Sequence, residues 1–342
     1  MIDYSSVGGK LIQAGQPLAM DRRGIMQVAR DDYWSFGWVA PEARTESQWD
    51  AMVQTTQQAT VPFAIQGRTD PTVKKVDMTE LWTHPHVIAA LQPLGFTKGF
   101  PGSWQLTGSC VGSGGCNTIA SLSMVEVIRL NDPEQIILPL WLYTYGRSRF
   151  HMGDRGQGEG SLESAWAKAA QEDGAVSVTA SFVKPNKITD IGFCYTSNLE
   201  MRWSDGDGAE CMGVLDTGRK HLIRKAGRMR DHNDVREAIC NYYPVGEGSM
   251  YGYSSWVDSD GLSMGKRGPR WSHKQTIQGW MEHPKYGELF KMVNQWDSAS
   301  TDSGKFNYVW IPPADVDWIC QDECFCYSQF DGFPAQSFHW SI

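Results

Sequence analysis

Apolar positions follow two different periods along the chain. Between about residues 99 and 244 they recur in several segments every three to four residues, as in helices with one buried face. WVAPEARTESQWDAMVQTTQQA predicts a helix opening near Thr45, and HPHVIAALQPLG a short one closed by Gly95. In CNTIASLSMVEVIRL, Ala120, Met124, Val127 and Ile128 share a face, so Cys110 precedes or opens a buried helix. Leu162, Ala165, Trp166, Ala169 and Ala170 predict another, with Ser161 as N-cap and Gly174 at its C-terminal end. Asp234 and Glu237 have capping-box spacing ahead of Val235, Ala238 and Ile239, and Pro244 stops that helix. Beyond it VGEGSMYGYSSWV, SHKQTIQGW, ELFKMVNQW and KFNYVWI are short aromatic or β-branched runs parted by turn formers, which predicts strands. Helices first and strands after imply an α+β fold of two parts, a helical half and an antiparallel sheet half. Residues 1 to about 85 show no strong period and no internal repeat.

Composition narrows the picture. With 342 residues, the chain is expected to form one large two-part domain with an extension, or two domains. Hydrophobic residues at 41%, charged residues at 20% and 15 Trp describe a folded globular protein. A formal charge of −8 argues against a nucleic-acid partner, and the basic cluster from Arg219 to Arg230 reads as a local solvated face. No apolar run is long enough to span a membrane, and no basic-then-apolar leader opens the chain, so the expected setting is the cytoplasm or a viral particle. The cysteines at 110, 116, 194, 211, 240, 320, 324 and 326 are too scattered for a disulfide scaffold. Cys320, Cys324 and Cys326 leave a metal or a disulfide open, but no fourth ligand stands nearby, and neither metal nor cofactor is expected.

The candidate chemistry centres on Cys110. A helix N-terminus lowers a thiol pKa, and Gly108, Gly112, Gly114 and Gly115 around it leave room for a substrate backbone. Plain packing is the other reading of a buried cysteine there. His273 begins a strand that ends at Gly279 and Trp280, Asn294 ends the next and is placed to orient an imidazole, and Trp296 to shield that bond. Singly, a strand histidine is most often a surface or satisfied core residue, and a strand-end asparagine a turn former. Cys116, deeper in the same helix, is the alternative thiol.

In chain order these residues resemble the papain-like cysteine peptidases. GSCVG within WQLTGSCVG is similar to the family's Gln and Gly-Ser-Cys signature, and LPLWLYTYGRSRF with GEGSLESAWAKAAQEDGAV to its next helix and glycine-rich edge. DVREAICNYYPVGEGSM resembles the helix and strand leading to the histidine. His273 with Gly279 and Trp280, then NQW and GKFNYVWIP, match the segments that close the sheet. The resemblance covers roughly residues 90–315. It implies Cys110 as nucleophile, His273 as its acid-base partner, Asn294 as the orienting residue, and Gln105 with the Cys110 N–H as oxyanion donors. It also implies that Gly158, Glu159 and Gly160 pair with an extended polypeptide substrate. The chain departs from the pattern in several ways, among them DSASTDSG in place of a second Trp-Gly after Asn294. Gln105 lies five rather than six residues before Cys110, Val111 replaces an aromatic, and Lys274 and Gln275 follow His273 where small or apolar residues are commoner.

The expected organisation is an extension over 1–88, a papain-like domain over 89–318 and a tail over 319–342. Two functions fit. One is a thiol endopeptidase acting on polypeptides; the other is a papain-fold structural or interaction protein of a larger assembly, such as a phage virion component. The extension without a propeptide pattern and the many aromatics suit the second.

Overall fold

The computed structural model describes residues 28–30, 33–35, 37–40, 44–105, 107–131, 135–153, 159–188, 193–268, 270–295 and 308–336. In its first part the elements are β1 (Val28–Arg30), β2 (Tyr33–Ser35), α1 (Glu46–Ala59), β3 (Thr60–Pro62), β4 (Lys75–Asp77), α2 (Pro85–Leu91) and β5 (Ser103–Trp104). The helical part follows with α3 (Cys110–Arg129), α4 (Trp141–Met152), α5 (Glu163–Glu172), α6 (Ala180–Asn186), β6 (Phe193–Cys194), α7 (Ser197–Trp203), α8 (Ala209–Met212) and α9 (Leu215–Gly218). The last part holds β7 (Lys225–Arg228), α10 (His232–Cys240), β8 (Val245–Ser249), β9 (Tyr253–Val257), β10 (Ser263–Arg267), β11 (Trp271–His283), β12 (Gly287–Val293), β13 (Tyr308–Ile311), α11 (Pro313–Ile319) and β14 (Glu323–Ser328). This is an α+β fold.

Local sequence explains several boundaries. Thr45 opens α1 with a full capping box: its hydroxyl accepts from the Gln48 N–H and the Gln48 side chain accepts from the Thr45 N–H. Gly95, at φ +97°, ends the turn that follows α2. Two expected caps are corrected. Ser161 does not cap α5; the Glu163 and Ser164 N–H groups donate to the Glu323 carboxylate at 3.3 and 3.2 Å, while the Ser161 backbone bonds elsewhere. α10 is capped by Asp231, which accepts from the Asn233 and Asp234 N–H groups, because Asp234 lies inside the first turn and pairs with Arg230.

The main sheet runs β3-β7-β14-β8-β11-β12-β13-β10-β9, with β2 and β4 also on β11 and β1 on β2. Most pairs are antiparallel, but β3 with β7, β2 with β11 and β10 with β13 are parallel. The antiparallel sheet expected from the strand runs is therefore mixed, because its parallel pairs bring together strands far apart in the chain. Segments set outside the domain by sequence supply strands to it: β2 and β4 pair with β11, and β14 lies between β7 and β8. β11 is the axis, buried from Ser272 through Trp280.

Helix α3 joins the two parts, buried from Cys110 through Val125. Its glycines serve that packing, contrary to the expectation that they leave room for a substrate. Tyr145 and the Trp141 carbonyl fill the space beside Gly112, the Gln295 and Lys274 side chains that beside Gly114, and Trp166 that beside Gly115; Gly108, before the helix, faces the Glu159 side chain and the Gly37 backbone. Among the described residues no helix is long and apolar enough to cross a membrane.

Candidate active site

Cys110 is the first residue of α3, and β11 passes across that helix start so that the Lys274 N–H donates to the Cys110 sulfur at 3.2 Å. The preceding residue, His273, has Nε2 3.0 Å from Asn294 Oδ1, and Asn294 Nδ2 donates to the Tyr253 hydroxyl at 3.0 Å. The pairing of β11 with β12 through Thr276 and Val293 carries Asn294 to this position at the strand end. With Oδ1 as acceptor, Nε2 carries the proton and Nδ1 is the basic nitrogen of the ring. Cys110 thus lies against the β11 backbone one residue on from the histidine that Asn294 holds. Tyr253, which fixes the amide of Asn294, had no signal in the sequence beyond lying in a predicted strand.

Burial sets the charge states. Cys110 is fully buried and His273 is 1% exposed. Loss of water pushes the thiol pKa up, and pushes the imidazole down to about 3 against the opposing bond from Asn294. Both groups are therefore neutral at pH 7.

Successive residues of a strand face opposite ways, and Lys274 turns inward. Its ammonium lies 2.6 Å from Glu163 Oε2 and 3.8 Å from the centre of the Trp166 ring, with neither Lys274 nor Glu163 exposed. The Tyr327 hydroxyl bonds the other Glu163 oxygen. Burial lowers the Lys274 pKa and raises that of Glu163, and their pairing opposes both shifts. Buried Glu247 beside them is raised well above the carboxylate range by the same loss of water. Lys274 draws the Cys110 pKa down through its N–H and its charge, while Glu163 and Glu247 push it up. The departure at Lys274 noted in the sequence is therefore a buried ion pair behind the thiol.

A strap formed by residues 37–40 closes the site. Val39 N–H donates to Ser161 O at 3.0 Å and Ser161 N–H to Gly37 O at 2.8 Å. On the other side β2 pairs with β11 at Trp271 and Ser272, and the Ser272 hydroxyl donates to the Trp38 carbonyl. Gly37, at φ +110°, packs on Gly108 so closely that a Cβ would overlap the Gly108 carbonyl. Trp38 is fully buried, and its indole N–H donates to Glu323 Oε2 at 2.7 Å. Arg44 donates to the same oxygen at 3.2 Å and to Val39 O at 2.9 Å.

The remaining predicted site residues have varied placements. The backbone next to Gly160, through Ser161, pairs with the strap, and the Glu159 carboxylate accepts from the Gly108 N–H at 2.7 Å. Gln105 stands in the loop before α3, where its side-chain amide donates to Thr107 O at 3.1 Å and its N–H to Gln295 O at 3.3 Å. Gly158 and Trp296 lie outside the described residues. Cys116 is buried inside α3 with its thiol 3.4 Å from Pro139 O. Cys320 and Cys324 have sulfurs 3.7 Å apart, and among the described residues no group of His, Cys, Asp or Glu is arranged to hold a metal. Glu323, which joins the strap to the start of α5, gave no sign in the sequence because all its partners are distant in the chain.

No family model and no curated protein sequence matches the chain. Solved structures similar to it are cysteine proteases. Xylellain, a cysteine protease from Xylella fastidiosa, is 15% identical with a TM-score of 0.48, over 80% of this chain and 96% of that one. Digestive procathepsin L 3 of Tenebrio molitor larval midgut is 10% identical with a TM-score of 0.46, over 83% and 79%. The bromelain protease from Ananas comosus is 10% identical with a TM-score of 0.44, over 76% and 100%. At that level of likeness, the chemistry has to be argued from the geometry of this chain.

Proposed function

We propose that the chain is a thiol peptidase held in a closed state by its own N-terminal segment. The observation that carries this reading is the His273–Asn294 hydrogen bond at 3.0 Å next to a cysteine at the N-terminus of a buried helix. In the open site the Cys110 thiol passes its proton to His273 Nδ1, and the thiolate attacks the peptide carbonyl carbon. The helix N-terminus and the Cys110 N–H stabilise the oxyanion, with the Gln105 amide turned from Thr107 O to join them. His273 then gives the proton to the leaving amine, Asn294 keeps the ring in its tautomer, and water hydrolyses the thioester. An extended polypeptide pairs with the Ser161 backbone in place of the strap, while the Gly160 N–H and carbonyl stay bonded to Tyr145 and Arg149. On this reading residues 37–40, within the 1–88 segment, act as a cover.

The test is alkylation of native Cys110 against pH, in the wild type and in His273→Ala and Gly37→Ala. Reaction confined to Cys110, accelerated by Gly37→Ala and lost with His273→Ala, supports the peptidase. Reaction no faster than at Cys116 in all three sinks it.

A second reading, a structural or interaction protein of a larger assembly, is favoured by one observation. The Cys110 sulfur takes its hydrogen bond from the Lys274 backbone, and burial keeps thiol and imidazole neutral. On that reading the strap is permanent packing, and Cys110→Ala leaves every property but stability unchanged.

A further inference from the structure

We infer that the pocket filled by Trp38 is a recognition pocket for a tryptophan side chain of the substrate polypeptide, with Glu323 as its selecting residue. The word substrate rests on the peptidase reading above; the pocket and its chemistry do not. The observation is that an extended segment of the chain already occupies the site with three fixed points. The carbonyl before Trp38 accepts from the Ser161 N–H, the amide after it donates to Ser161 O, and the side chain between them enters the body of the protein. A chain seated on the same two Ser161 groups, with glycine at the position of Gly37, directs the next side chain into the same space.

The walls of that space select for shape and for a donor. Gly248 on β8 leaves a flat gap that the indole fills, since a Cβ there would overlap the ring. At its end Glu323 is held from behind by the Ser164 hydroxyl at 2.6 Å, the Ser164 N–H at 3.2 Å and the Glu163 N–H at 3.3 Å. These bonds belong to α5 and remain when the strap leaves. Oε2 then loses its shortest bond, that from the Trp38 indole at 2.7 Å, and keeps the longer ones from the Arg44 guanidinium at 3.2 Å and the Glu163 N–H at 3.3 Å. A desolvated carboxylate oxygen demands a replacement donor, so an aromatic side chain without an N–H is penalised while tryptophan satisfies both wall and floor.

The test uses the full chain with Trp38→Gly, titrated with indole and with benzothiophene, a ring of the same shape without the N–H, and read by heat of binding and by the thermal midpoint. Indole binding at least tenfold more tightly, with the preference lost in Trp38→Gly/Glu323→Leu, is the expected result. Equal affinities, or binding of neither, overturn the pocket, and so does n-butylguanidinium binding as well as indole does. Trp38→Phe in the full chain needs no cavity to persist: Cys110 alkylation is expected to speed up about tenfold, and an unchanged rate overturns the role of the N–H···Glu323 bond. Indole preference alongside an inert Cys110 removes the peptidase reading and leaves the pocket; a reactive Cys110 without the preference does the reverse.

Discussion

His273 and Lys274 are consecutive on β11 and almost equally buried, yet they leave the strand on opposite faces and meet different partners. His273 finds Asn294, a neutral amide that can orient a ring but cannot compensate its charge, so burial keeps the imidazole neutral. Lys274 finds Glu163 at 2.6 Å and the face of Trp166, and that pairing works against the same loss of water. Burial shifts both groups toward their neutral forms, and the partner on each face sets how strongly that shift is opposed. The difference also separates roles: the neutral face is a site that changes charge when water returns, and the paired face is part of the frame.

The largest effect should come from breaking the frame. Lys274→Met strands Glu163 in the core and is expected to cost about 3–5 kcal/mol in denaturant unfolding at pH 8. Lys274→Met/Glu163→Gln, which removes both charges, should recover most of that loss, and additive losses would mean that the two residues do not form a pair.

On the neutral face the expected effect is one of pH. The folded imidazole has its pKa near 3 against an ordinary 6.5, so between these values the unfolded chain binds a proton that the folded one does not. Stability is then fully present above about pH 6.5 and falls as the pH drops toward 3, by up to about 1.4 kcal/mol per pH unit for this one group. Denaturation midpoints measured from pH 7 to pH 4 should show a shallower slope in His273→Gln; parallel slopes would place the proton uptake elsewhere.

Asn294→Ala removes the ring's orienting partner without touching the ion pair. On the peptidase reading a loss of about a hundredfold in kcat/KM is expected, with about 1–3 kcal/mol of stability because buried His273 and Tyr253 each lose this hydrogen bond, and the ratio of the two losses is the informative reading. Gly37→Ala acts only on the cover. It forces a residue at φ +110° against the Gly108 carbonyl, so the strap should open, with Cys110 alkylation about tenfold faster and a stability loss of about 1–2 kcal/mol. Faster alkylation in Gly37→Ala together with a raised His273 pKa by NMR would tie the neutral face directly to exclusion of water by the strap.

The features legible in the sequence are local or periodic. Thr45 and Gln48 carry their capping box within four residues, and the apolar spacing from Ala120 to Ile128 marks a helix that Cys110 precedes or opens; the structure places Cys110 as its first residue. The strands that carry His273 and Asn294 were legible from their β-branched and aromatic runs, and the likeness to a known order of residues pointed to their meeting. Ser161 and Asp234 were misread as caps because the groups that decide those helix starts are Glu323, on the far side of the sequence, and Asp231, whose spacing is less conspicuous than a capping box. Only the tertiary structure decided that residues 37–40 lie across the site, that Lys274 pairs with Glu163, and that Trp38 reaches Glu323. The physical reason is range. Caps and periods act within a few residues and leave a mark on composition there, whereas a buried ion pair or an indole on a carboxylate joins residues more than a hundred positions apart, and neither partner's neighbours record it.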